Sequence, residues 1–341
     1  MRVAVSSEKV EGESLRRTRP SLHRYVISYA ATLFFLITLN FLLPRAMPGS
    51  PLTALEGRST PTNIPDQATR AALARYYGLN RPLAVQYIQY LADLGHGNLG
   101  ISTSDGIPVA GLIGERLPWT LLLLGTGLAL ATTAGLIAGI QSAWLRGRGV
   151  DRGLLGFFLA LNNFPTFFLA ALAVLVFAVR LRWFPLSGAN TPFTTFSPFH
   201  QVIDIADHLV LPACVLAVQS VAGIYLMMRG SMVSELGSDY LLLGRAKGLR
   251  ERRLKYHYAA RNALLPVVTV IALQVGFIVT GDIFVETVFA YPGMGSLIFD
   301  AVGSRDYPTL QGCFLVLTVL VVTVNFLTDM LYARLDPRTA G

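Results

Sequence analysis

Three lysines, five histidines and two cysteines carry the phosphate, metal and thiol chemistry open to this chain of 341 residues, and their surroundings exclude most of it. None of Lys9, Lys247 and Lys255 is followed by Ser or Thr behind a glycine-rich loop. The chain therefore lacks the cradle in which backbone N–H groups, a lysine and a hydroxyl hold nucleotide phosphates and magnesium. His23, His96, His200, His208 and His257 include no H-E-x-x-H pair, and Cys214 and Cys313 stand alone inside apolar runs, where a thiol behaves as a small hydrophobe. No catalytic residue, metal or cofactor is expected on this chain. Acidic side chains within lipid would mark an ion path, because burying a charge there is costly. Asp282, Glu286 and Asp329 lie only at the ends of apolar runs, so an ion-coupled carrier is disfavoured. Asp282 and Glu286 are weak candidates for the substrate pathway, with boundary placement or local pairing as the plainer reading.

The densest chemistry lies in residues 231–261. Ser231–Tyr240 leads through Leu241–Leu243 into Gly244-Arg245-Ala246-Lys247-Gly248-Leu249-Arg250-Glu251-Arg252-Arg253, then to His257, Arg261 and Asn262. The pattern predicts an amphipathic helix, a glycine turn and a second, strongly basic helix. Basic residues beside a membrane also act as plain topology determinants. An apolar Tyr240–Leu243 patch inside a charged rim goes further and suits docking of a cytoplasmic protein, because interfaces concentrate affinity in buried anchors ringed by polar groups. Gly248, with no Cβ, permits a left-handed backbone or close approach to a partner.

The elements that position this segment are apolar. Hydrophobic residues make up 53% of the chain and charged residues 14%, far below the roughly 25% of a soluble domain. Uncharged runs cover Tyr25 to Pro44, Leu117 to Leu145, Gly153 to Val179, Leu209 to Met228, Asn262 to Gly281 and Tyr307 to Thr328. Each reaches the roughly 20 residues that cross about 30 Å of hydrocarbon as helix, and each is too continuously apolar for the alternating strands of a membrane barrel. The expected fold is an all-α polytopic membrane protein with six transmembrane helices.

With the N-terminus inside, 19 of the 28 Lys and Arg residues fall on the cytoplasmic side, as the positive-inside rule requires. The net charge of +8 thus reflects membrane topology and does not point to a nucleic-acid partner. The expected divisions are a cytoplasmic tail (1–24), a first span (25–44), a periplasmic segment (45–116), a core membrane domain (117–333) containing the 231–261 loop, and a cytoplasmic C-terminal tail (334–341). Short helices are expected in the outer segment, notably over Leu83 to Leu94. The outer stretch from Arg180 to His208 should be mostly loop, and Pro292-Gly293-Met294-Gly295 should turn into a short helix. Gly125, Gly127, Gly135 and Gly139 offer close helix packing, and Pro165 after Asn162-Asn163 should kink the third span.

These motifs resemble the inner-membrane permease subunits of ATP-binding-cassette importers for dipeptides, oligopeptides and, in some members, nickel. The similarity runs from Arg24 to Arg338. It rests on Asp239-Tyr240 with Ala246-Lys247-Gly248-Leu249, on His257 and on Arg261-Asn262-Ala263-Leu264-Leu265-Pro266. It also rests on Pro48-Gly49-Ser50-Pro51, Gly78 to Leu83 with Gln86-Tyr87, Gly97 to Ser102, Arg116 to Thr120, Phe184 to Gly188, Glu286 to Gly295 and Arg305 to Pro308, and on Asn325, Asp329 and Asp336-Pro337-Arg338. Ser50 replaces the family's usual aspartate, and Gly244 its usual alanine, which should loosen the first loop helix. The resemblance is to the first permease type, with type I importer architecture. It implies that Tyr240, Ala246, Lys247, Gly248, Leu249, His257, Arg261 and Asn262 belong to a coupling loop entering a groove of an ATPase. The implied partners are a second, homologous permease, two ATPase subunits that carry ATP and Mg, an extracytoplasmic solute-binding protein and the lipid bilayer of the bacterial inner membrane. The resemblance implies peptide import and leaves import of nickel, a metal chelate or another small solute open, with a non-transporting scaffold or receptor as the distant alternative.

Overall fold

The computed structural model describes residues 22–46, 80–194, 196–278 and 283–335. Most of the two terminal tails, residues 47–79 of the outer segment, and Asp282 lie outside the described residues. Within them the protein is helical apart from one isolated bridge between Ile101 and Pro108. Helix α1 (Leu22–Ala46) is followed by α2 (Leu83–Gly95), α3 (Val109–Trp144), α4 (Gly149–Leu161), α5 (Thr166–Ala173, continued as a π-helix over Val174–Arg180) and α6 (Pro198–Glu235). Then come α7 (Asp239–Ala246), a short turn over Glu251–Arg253 with a π-helix over Leu254–Ala259, and α8 (Ala260–Ile278). Last come α9 (Ile283–Val288), α10 (Met294–Gly303) and α11 (Tyr307–Leu335).

The apolar runs are largely helical over their described residues, the third being broken at 162–165. Helices α3, α6 and α11 are each long and apolar enough to cross a membrane, and α4 with the α5 segment forms a fourth candidate span, bent by 98°. The expected kink at Pro165 is thus a near right-angle break. Pro165 takes an extended backbone (φ −60°, ψ 141°) and starts a new helix instead of bending an old one. The Asn163 side-chain amide donates to the Leu159 carbonyl at 2.6 Å, covering one of the acceptors that the break exposes.

Helices α3 and α6 form the longest packed pair. On α3, Gly127, Ala131, Gly135 and Gly139 repeat every four residues and are all buried. A Cβ on Gly135 would sit 2.9 Å from Ile224 Cγ2, and one on Gly139 would sit 2.8 Å from Met228 Cβ and 3.0 Å from the Tyr225 carbonyl oxygen. Between lipid-embedded helices no water is released to drive association, so close backbone approach and dispersion must supply the attraction. Gly125 meets nothing within 4 Å and takes no part. Large apolar side chains such as Phe35, Ile137, Phe157 and Leu175 face outward, as suits a lipid-facing surface.

The stretch from Arg180 to His208 is mostly loop, over the described residues of 181–197, and turns helical where α6 begins at Pro198. Proline is favoured there, since the first helical turn does not use its N–H and its φ is already helical. Helix α10 begins at Met294, directly after the Pro292-Gly293 turn.

Candidate functional site

The 231–261 segment folds between the end of α6 and the start of α8. Leu241 and Leu254 are buried with Met232, Ala259 and Ala263 in one apolar cluster. Helix α7 ends in a Schellman motif, with the Gly248 N–H donating to the Arg245 carbonyl at 2.9 Å and the Leu249 N–H to the Gly244 carbonyl at 3.1 Å. The motif needs a left-handed residue, and Gly248 supplies it at φ 75°. A Cβ there would meet no other atom of this chain within 4 Å, so the glycine answers a backbone need and leaves open space around it.

Gly244 has a different role. It is buried in α7, and a Cβ would stand 2.6 Å from Leu254 Cδ2 and 3.5 Å from Leu249 Cδ1. The two leucines fill the space that the usual alanine would occupy, which offsets part of the helix propensity lost to glycine.

Of the residues singled out in the sequence, Ala246, Lys247, Gly248, His257, Arg261 and Asn262 are exposed, whereas Tyr240 and Leu249 are half-buried. The Tyr240 hydroxyl donates to Glu235, the last residue of α6. Partial burial, with the hydrogen bond to Glu235, pushes the Tyr240 phenol up from its ordinary value. The apolar patch is divided: Leu241 turns inward, while Leu242 and Leu243 remain 58% and 55% exposed. Arg245, Lys247, Arg250, Arg252 and Arg253 surround them as an exposed basic rim. The surface therefore presents two apolar anchors with cationic surroundings, held by a loop already packed on the membrane helices.

Glu286, a pathway candidate from the sequence, is fully buried. Its carboxylate accepts from Thr120 Oγ1 at 2.8 Å, the Gly295 N–H at 2.7 Å and the Ser296 N–H at 3.1 Å, while Thr120 Oγ1 accepts from the Met294 N–H at 2.7 Å. An anion at the first turn of α10 satisfies donors that the helix cannot pair internally. The observed geometry is that of an internal cap.

Asp306 plays a related part at the other end of α10. It accepts from Ser102 Oγ at 2.5 Å, Thr103 Oγ1 at 3.1 Å and Thr309 Oγ1 at 2.8 Å, and from the backbone N–H groups of Thr103, Ser104 and Thr309. Burial alone would raise the carboxyl's proton affinity, but the hydrogen bonds from Ser102, Thr309 and Thr103 outweigh it and hold Asp306 below the usual carboxylate range. Motifs far apart in the chain thus meet as fastenings around α10. Gly188 N–H adds another by donating to the Phe289 carbonyl at 2.9 Å.

Sequence reasoning missed a further fastening. Asp151 accepts both Arg229 Nε at 2.7 Å and Arg229 Nη2 at 2.9 Å, as well as Ser142 Oγ at 2.5 Å and the Gly147 N–H at 3.0 Å. Its one visible signal is that Asp151 is the sole acid among three arginines in residues 146–152. Among the described residues no group of three or more His, Cys, Asp or Glu side chains is arranged to hold a metal ion.

Residues 131–341 match the family of binding-protein-dependent transport system inner membrane components. A Brucella suis biovar 1 protein described provisionally as a peptide permease is 42% identical over 321 residues, covering 94% of this chain and 98% of that protein. The oligopeptide transport system permease AppB of Bacillus subtilis is 36% identical over 88% of this chain and 92% of its own length. The dipeptide transport system permease DppB of Escherichia coli K12 is 35% identical with the same coverages. With helical spans in register with the expected runs and relatives aligned over nearly their whole lengths, the chain belongs to the family of inner-membrane components of binding-protein-dependent transport systems.

Proposed function

We propose that this chain is the permease half of an ATP-driven importer of dipeptides or oligopeptides in the bacterial inner membrane, with six spans and both termini in the cytoplasm. The carrying observation is the preformed 231–261 loop, which offers exposed Leu242 and Leu243 within a basic rim on a polypeptide lacking a phosphate loop of its own. Hydrolysis then takes place on two partner ATPases, which hold ATP and Mg, and the loop couples to them through Tyr240, Ala246, Lys247, Gly248, Leu249, His257, Arg261 and Asn262. A second permease completes the pathway, and an extracytoplasmic solute-binding protein delivers the cargo. Peptide cargo is supported by relatives named for peptide, oligopeptide and dipeptide transport. The outer segment (45–116), the core (117–333) and the tails (1–24 and 334–341) keep the boundaries expected from the sequence. Asp282 remains a pathway candidate.

The test is assembly of the complete importer in proteoliposomes, followed by uptake of tritiated dipeptides and pentapeptides with unlabelled peptide or nickel as competitor. ATP-dependent uptake suppressed by peptide supports the reading. Uptake of nickel alone, or none with every subunit present and ATP hydrolysed, overturns peptide import. For topology, Asn190→Cys and Gly149→Cys serve as outer and inner labelling sites in a background without Cys214 and Cys313. Asn190 is preferable to its neighbour because Thr191 Oγ1 is engaged with Asp204 at 2.5 Å. Labelling of both positions from outside sealed cells contradicts the topology.

A further inference from the structure

Two adjacent residues at the inner end of α3 face different neighbours. Gln141 accepts from the ammonium of Lys255 and donates to the Tyr256 hydroxyl at 3.2 Å, both on the return limb of the 231–261 loop. Ser142 is hydrogen bonded to Tyr225 of α6 at 2.7 Å and donates to Asp151, which holds Arg229 of α6 in a two-pronged ion pair. Consecutive positions on a helix point about 100° apart, so one turn of α3 can grip two elements at once. The Asp151 side of the grip is shielded from water, with Asp151 3% exposed and Ser142 fully buried, while on the loop side Lys255 is buried and Tyr256 remains exposed. The Phe158 ring lies 4.5 Å from that of Tyr225, between centroids, and helps to close the site from the α4 side.

We infer that Asp151 is a positioning residue for transport. It fastens α6 to the end of α3, one residue from where α3 grips the loop's return limb, so displacement of the loop moves α3 and α6 as one body. The inference rests on the proposed reading of 231–261 as the coupling loop. A planar guanidinium held by both carboxylate oxygens fixes orientation as well as distance, which a single hydrogen bond does not. Loop displacement then carries both helices of the longest packed pair. Without the clasp, α3 still follows the return limb and α6 its own continuation into the loop, but nothing at that end holds the two helices in one orientation.

The test uses the complete importer with its ATPases and binding protein. It reads three quantities: permease abundance in the membrane, recovery of the ATPases with it, and the ratio of binding-protein-stimulated to basal ATP hydrolysis. None of them requires the cargo to be known. Asp151→Asn should retain ATPase recovery while the stimulation ratio falls about tenfold, within the usual span of a coupling between sites. Arg229→Lys keeps the charge without the fork and should give an intermediate ratio. Asp151→Asn is also combined with Arg229→Met, which leaves no unpaired buried charge and so separates folding from coupling. Normal abundance with a low ratio in that double variant supports the inference. A wild-type ratio in either Asp151 variant overturns it, including the case where Asp151→Asn lowers abundance and the double variant restores both abundance and ratio. Gly248→Val is run in parallel. If it leaves ATPase recovery unchanged, the coupling-loop reading fails. If it reduces recovery while the Asp151 variants keep the wild-type ratio, only the role of Asp151 fails.

Discussion

Replacing Glu286 by glutamine removes a charge while keeping the side chain's volume, and the structure fixes what that removal should cost. The Gly295 and Ser296 N–H groups converge on one carboxylate oxygen, and Thr120 Oγ1 donates to the other. A glutamine carbonyl placed at the first position keeps both backbone bonds, now as neutral ones. Since bonds to a charged group contribute about 1.5–3 kcal/mol and neutral ones about 0.5–1.5, roughly 1 kcal/mol is lost from each. The glutamine NH2 then points at Thr120 Oγ1, which already accepts from Met294 N–H and must stop donating, at a cost of about another 1 kcal/mol. Loss of the anion at the helix N-terminus adds about 0.3–1 kcal/mol. The total is roughly 3–4 kcal/mol, which at about 2 °C per kcal/mol for a chain of this size lowers the apparent Tm by about 7 °C. Thermal unfolding of the detergent-solubilised complex at neutral pH, followed by size-exclusion recovery after heating, measures it. A Tm within about 1 °C of wild type, combined with a raised KM for cargo, would refute the capping argument and return Glu286 to the pathway.

Three further substitutions test other joints. Gly139→Ala places a methyl against Met228 Cβ and the Tyr225 carbonyl and should destabilise by about 1–3 kcal/mol, while Gly125→Ala, with nothing nearby, should not; paired melting curves decide. Asp306→Asn should lower Tm at pH 7, and the gap from wild type should close as pH falls. A carboxylate whose folded pKa is depressed contributes fully above its unfolded value near about 3.9 and loses that contribution as pH drops through the folded one; a gap that does not narrow at all as pH falls below the unfolded value contradicts this. Gly248→Val forces a β-branched residue to φ 75°, at about 1–2 kcal/mol of local strain. It should leave membrane abundance intact while reducing recovery of the ATPases and uptake, and wild-type values for both would exclude a role for this turn.

Three spans and a bent fourth were legible because hydrocarbon thickness imposes a length that twenty uncharged residues satisfy, whatever surrounds them. The α7 turn was legible too, since a glycine between a short apolar helix and a basic one marks a cap with few alternatives. The size of the break at Pro165 was not, because sequence shows the missing N–H but not which way the next helix is pulled by its neighbours. The fastenings were the least legible. Ser102 and Asp306 are 204 residues apart, Thr120 and Glu286 166, and Asp151 and Arg229 78. Local periodicity carries no information about which distant polar groups meet, and Glu286 looks the same in a sequence whether it faces a passage or the end of a helix.

The Schellman turn at Gly248 has a consequence for assembly. Because α7 is terminated by its own backbone and anchored by Leu241 and Leu254, the surface bearing Leu242 and Leu243 is already shaped before anything binds it. A partner meeting a finished shape loses little chain entropy on association, so more of the contact energy remains as affinity, and the encounter need not wait for a folding step. Substitutions along the cationic rim can then retune how long a partner stays without unmaking the shape it recognises.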